Sequence, residues 1–207
     1  LLLQHVRRTQ SDILNFARTT FRDISQGLMH ENIRSLRQAA LAIEEEKSVW
    51  KRYRRKEILG MRKIDYLLAV EKNTWFHLGC NSATQIIYGL KRMLEPCIEH
   101  VDNNFNPMPP DYVDEFIPVC NDVDRFLTAA DGFITSGNFE GVDELLVEGN
   151  AIKSRISQLR HKLQDRIQQE DSNIKIALLY LSTLQETQEL ISISRHLVRA
   201  SKRFQTQ

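Results

Sequence analysis

Glu95, Cys97, Glu99, His100 and Asp102 place a thiol, an imidazole and three carboxylates within eight positions of "LKRMLEPCIEHVDNNFNPMPP". On a helix, Glu95, Glu99 and Asp102 follow at steps of four and three and share one face, a donor set suited to a hard cation such as Mg²⁺ or Ca²⁺. Cys97 and His100 fall elsewhere on the turn and cannot join them without unwinding. Acids near a helix C-terminus oppose the macrodipole, which favours some partner for them. The competing reading is a solvated helix end beside a linker.

A second set lies in "EEEKSVWKRYRRKEILGMRK", where three acids precede Lys47, Lys51, Arg52, Arg54, Arg55, Lys56, Arg62 and Lys63. The charges come in blocks and not as acid-to-base pairs four apart, so pairing within the helix absorbs few of them. A basic block carrying Trp50 and Tyr53 suits anionic lipid head groups or an acidic partner surface. It is too short for a nucleic-acid footprint, and no nucleic-acid-reading module accompanies it.

Standard catalytic spacings are absent. The close glycines 132, 137 and 141 lack the lysine-serine/threonine ending of a phosphate loop, and neither a Gly-x-Ser-x-Gly elbow nor a His-Glu-x-x-His helix occurs. A di-iron bundle needs Glu-x-x-His, but Leu2, Gly27, Thr74, Cys97, Gln158 and Ile193 stand three residues before the six histidines. No enzyme is expected, and no cofactor, with a divalent metal left as the open alternative.

The elements that must position these residues are helices. Five prolines, eight glycines and no alternating Val, Ile and aromatic runs predict an all-α chain. Lys+Arg 28 against Asp+Glu 27 leaves a net charge of +1, so no global field selects a partner. Three widely spaced cysteines fit neither a disulfide framework nor a paired-cysteine zinc site. The opening "LLLQHVRR" reads either as a frayed amphipathic start or as the cytoplasmic exit of a membrane helix, where basic residues gather.

Four of the five prolines lie between Pro107 and Pro118 and divide the chain into residues 1–101, a linker at 102–111, and residues 112–207. The first half reads as helices from Ser11 to His30, Glu31 to Leu59 and Arg62 to Val101, with breaks at Gly27 and Gly60. In the second, Asp111 caps a helix that Pro118 kinks or restarts, a further helix spans Val142 to Gln169, and Asp171 or Ser172 caps a last one to Phe204.

Sliding the halves by 109 positions sets Ala42-Ile43 over Ala151-Ile152, Lys51 over Arg160, and His77 and Asn81 over Glu186 and Leu190. Each half then ends in a long helix with apolar ends at bundle spacing around a polar middle, "NTWFHLGCNSATQ" in one and "QETQE" in the other.

"RMLEPCIEHVDNNF" followed by a linker, together with "LLYLSTLQETQELISISRHLVRASKRF", resembles the extramembranous domain of bacterial PiT-type inorganic phosphate transporters, which is PhoU-like and built of two three-helix repeats. The resemblance covers essentially the whole chain. It implies a cytoplasmic domain at the inner membrane that regulates or stabilises a cation-coupled phosphate permease without chemistry of its own. Its partners would be membrane helices of the same polypeptide and the membrane surface, with a homodimer left open. The PhoU metal pattern, an acid and an aspartate four apart, carries over as Glu186 with Leu190 and as His77 with Asn81, and both depart from it. Glu186 with Glu189 is a weak substitute. The alternative function is a free-standing helical scaffold or signalling module that binds a protein partner.

Overall fold

The computed structural model describes residues 2–61, 66–169 and 173–206. The described residues form six helices and no strand: α1 (Leu2–Met29), α2 (Ile33–Met61), α3 (Tyr66–Asp102), α4 (Pro110–Ser136), α5 (Val142–Gln169) and α6 (Ile174–Thr206). The chain is all-α, and the 109-residue shift carries each helix of the first half onto a helix of the second with boundaries that agree within a few residues.

The helices run alternately up and down. At one end His5 of α1 packs on Tyr53 of α2, and Phe76 of α3 packs on Phe204 of α6. At the other, Arg37 of α2 meets Asp102 of α3, and Glu115 of α4 meets Arg166 of α5. α1, α3, α4 and α6 form a central four-helix bundle, with α3 against α6 and α1 against α4; α2 packs on α1 and α3, and α5 on α4 and α6. Each repeat thus contributes two inner helices and one outer one.

One stripe per helix drives this arrangement. Ile13, Ala17 and Ile24 of α1, Ile86 and Cys97 of α3, Phe116 and Val123 of α4, and Leu184, Ile191 and Val198 of α6 are fully buried. Each large aliphatic or aromatic side chain removed from water in this way contributes about 2 kcal/mol. The polar middle of α6 enters the core as well: the Thr183 and Thr187 hydroxyls donate to the Leu179 and Thr183 carbonyls of their own helix, which removes the cost of burying them.

Several boundaries differ from expectation. α1 starts at Leu2 and not at Ser11, because Val6 and Gln10 are buried against the other helices. Gly27 is no break. It lies inside α1, where a Cβ would stand 2.5 Å from Leu36 Cδ2, so it is a close-approach position between α1 and α2. The left-handed residue of that turn is Glu31, at φ 51°, and Asn32 caps α2 by accepting the Ser35 amide at 3.2 Å. α2 runs through Gly60 to Met61.

Asp111 does not cap α4. Pro109 holds the cap position without a side-chain bond, and Asp111 sits in the first turn, where the helix dipole favours an acid. Pro118 neither ends nor restarts that helix, which is continuous to Ser136. Gly137 closes it at φ 69°. The expected start at Arg62 and caps at Asp171 or Ser172 lie outside the described residues; Asn173 accepts the Lys175 amide at 3.2 Å at the head of α6.

Candidate functional site

The alternating helices bring to one end the start of α1, the end of α2, the start of α3 and the end of α6. Lys51, Arg52, Arg55 and Lys56 are exposed there, and Arg54, half-buried, reaches Asn81 Oδ1 at 3.5 Å. Arg8 of α1 and Arg199 and Arg203 of α6 are exposed at the same end, and Lys72 of α3 and Lys202 of α6 are half-buried beside them. Arg203 lies over the Trp75 ring at 5.7 Å, and Lys72 over Phe204 at 5.6 Å. Arg7 donates to Gln205 Oε1 and lies against Gly137, so a cation sits at the negative end of α4.

Among the described residues the ion pairs fall elsewhere: Arg18 with Asp124, Arg92 with Glu186, Arg155 with Asp122 and Glu148, Lys162 and Arg166 with Glu115. Lys47, the first cation of the block, is the part of it that pairs inward, with Glu44 at 3.6 Å and over the Tyr88 ring. Among the described residues, Lys51, Arg52, Arg55 and Lys56 therefore have no ion-pair partner, and unpaired cations of this kind concentrate anions near them. Trp50 is not part of its outer face. That side chain is buried, and its Nε1 donates to Thr84 Oγ1 at 2.8 Å. Arg62 and Lys63 lie outside the described residues.

The α3 and α6 cations were not singled out in the sequence, because they stand far along the chain from the block, and the basic residues of "LLLQHVRR" were noted there but not joined to it. The alternation of helix direction is what collects them.

A groove opens between α3 and α6 close to this end. It has a volume of about 350 Å³ and is lined by Trp75, Leu78, Asn81, Ser82, Gln85, His196, Arg199 and Ala200. Its donors are a guanidinium, an imidazole, two carboxamides and a hydroxyl, and no carboxylate is among its described lining residues. Burial pushes the His196 pKa below its ordinary value, and Arg199, Arg195 and Lys153 push it further down against the opposing pull of Glu189.

The carboxylates singled out as a possible cation face have separate surroundings. Glu95 is exposed and pairs with Lys91 at 3.9 Å, Asp102 is exposed and pairs with Arg37 at 3.3 Å, and Glu99 is exposed with its own backbone carbonyl taken by Asn103. Glu186 Oε1 accepts from Arg92 Nε at 3.3 Å across the α3–α6 contact, while its Oε2 is buried without a partner beside a cavity of about 10 Å³ that Glu189 also lines. Among the described residues no three His, Cys, Asp or Glu side chains converge as metal ligands would.

His100, buried, bonds the Asn106 carbonyl at 2.7 Å and packs on Phe105, so it pins the loop between the repeats. Cys97 and Cys120 are free, and burial pushes each thiol up to about 12, which keeps both protonated and unreactive at neutral pH. No helix among the described residues is long and apolar enough to cross a membrane.

Comparison with protein-family models and with curated proteins finds no match for this chain.

Proposed function

We propose that this chain is the PhoU-like cytoplasmic domain of a cation-coupled inorganic phosphate transporter, where it regulates or stabilises the permease and performs no catalysis. The observation that carries the reading is the pairing of two three-helix repeats with an end rich in cations that have no ion-pair partner among the described residues. The double repeat agrees with the architecture implied by the resemblance of "RMLEPCIEHVDNNF" and the α6 sequence. The basic end supplies what a domain resting against an anionic inner leaflet needs, at about 1 kcal/mol per Lys or Arg near the surface.

In this arrangement Lys51, Arg52, Arg55 and Lys56 face lipid head groups, and the opposite end faces the cytoplasm. The partners are membrane helices of the same polypeptide and the membrane itself. A free-standing scaffold that binds an acidic protein surface is the second reading, favoured by the same unpaired cations and by nothing else in the molecule.

Protease accessibility of the complete gene product separates the two. In inverted inner-membrane vesicles the region of residues 1–207 is expected to be cleaved, and in right-side-out vesicles it is expected to be protected. Recovery of the whole product free of membrane would overturn the transporter reading.

A further inference from the structure

From the α3–α6 groove we infer that the domain carries a binding site for a phosphate monoester, with the dianionic phosphate on Arg199 and His196 and the organic part against Trp75 and Leu78. The first support is chemical. A guanidinium and an imidazole line the groove together with two carboxamides and a hydroxyl, and no acid is among its described lining residues, so donors for a multiply charged oxyanion are present without a repelling charge beside them. Asn81 has its oxygen turned to Arg54, which leaves its amide hydrogens for a second acceptor.

The second support comes from the repeat. Under the 109-residue shift, Asn81 and Ser82 correspond to Leu190 and Ile191, and His196 and Arg199 correspond to Ile87 and Leu90. All four counterparts are buried, and the space beside Leu90 and Leu190 shrinks to about 10 Å³. Helix packing at this position of a repeat is therefore satisfied by aliphatic side chains. The polar set occupies the one of the two places that stays open, at about 350 Å³, more than an inorganic anion fills. Asn81, His196 and Arg199 are exposed here and Ser82 is buried, so the open place is lined by polar groups that reach both the groove and solvent.

The site needs only the groove and does not depend on the transport reading. The same headgroup chemistry is offered by soluble esters and by phosphatidic acid in a bilayer, and the test separates them. Titration calorimetry on the intact chain would use glycerol 3-phosphate, adenosine monophosphate and inorganic phosphate, followed by vesicles containing phosphatidic acid or, at matched charge, phosphatidylglycerol.

Saturable binding of a monoester is expected, with Arg199→Gln and His196→Gln each weakening it about tenfold through loss of a charge-assisted bond. Arg125→Gln, which removes the same charge from α4, is expected to leave it unchanged. A preference for phosphatidic acid over phosphatidylglycerol that disappears in Arg199→Gln assigns the lipid source, and binding of the soluble esters assigns the free one. No saturable binding of any monoester, or equal weakening by Arg125→Gln and Arg199→Gln, would overturn the inference. Thermal melts of each variant show whether it is folded, and His196 and Arg199 are exposed enough for both substitutions to preserve the core.

Discussion

Replacing Lys51, Arg52, Arg55 and Lys56 together by glutamine tests the orientation of the domain against a membrane. These four side chains are exposed, and none forms an ion pair among the described residues. Each is worth about 1 kcal/mol at an anionic surface, so the set is worth roughly 4 kcal/mol, close to three orders of magnitude in vesicle partitioning. Lys47→Gln alone should cost far less than one quarter of that, since its charge is already engaged by Glu44 and Tyr88. Co-sedimentation with vesicles of anionic and of zwitterionic lipid measures both.

Raising the salt from about 0.1 M to 1 M shortens the screening length from about 10 Å to 3 Å and should abolish binding of the parent protein. Equal partitioning of parent and quadruple variant would refute the reasoning. So would a loss from Lys47→Gln as large as that from Arg55→Gln, because it would mean that burial and pairing do not decide which cations reach the lipid.

Gly27→Ala should destabilise the bundle by about 1 kcal/mol despite the gain in helix propensity, because the new Cβ meets fully buried Leu36; for a chain of this size the melting midpoint drops by about 2–4 °C. Burial raises the Cys97 and Cys120 thiols from 9.0 to about 12, so stability that is fully present below pH 9.0 is lost as the pH rises toward about 12; Cys97→Ala with Cys120→Ala should flatten that alkaline limb in urea titrations. Glu115 is pushed up by burial, but hydrogen bonds from Arg166 and Lys162 outweigh this and hold its carboxyl below the ordinary value of 4.5. Its contribution is present above that value and disappears as the pH falls through the lowered one. Arg166→Gln should therefore cost roughly 1 kcal/mol at neutral pH and make acid unfolding less steep.

The helical class, the division near Pro107 and the bounds of α5 were legible because they rest on local signals: apolar spacing, proline and turn residues. Gly27 was misread because a glycine at a helix end and one at a helix contact look the same until Leu36 is placed beside it. The start of α1 was missed for a related reason, since "LLLQHVRR" has no capping signal and its burial comes from other helices. Glu95, Glu99 and Asp102 do lie along one stretch of α3, but the cations that take up Glu95 and Asp102, Lys91 and Arg37, are set by side-chain geometry and by tertiary packing. The basic block was visible as a block, but its convergence with Arg8, Arg199 and Arg203 depends on helix direction. For the groove a signal did exist: the repeat alignment sets Asn81 against Leu190 and His196 against Ile87, and a polar residue opposite an aliphatic counterpart marks a place that is open in one repeat and closed in the other.

The most direct test of the transporter reading is uptake of radioactive phosphate by cells that carry the complete gene, compared with the same gene lacking the codons for the 207 residues of this chain and with the quadruple glutamine variant. Deletion is expected to change the initial rate, or the amount of carrier in the membrane, several-fold, and the quadruple variant to shift it in the same direction. Identical uptake and identical carrier levels in all three strains would contradict a regulatory or stabilising role in phosphate transport.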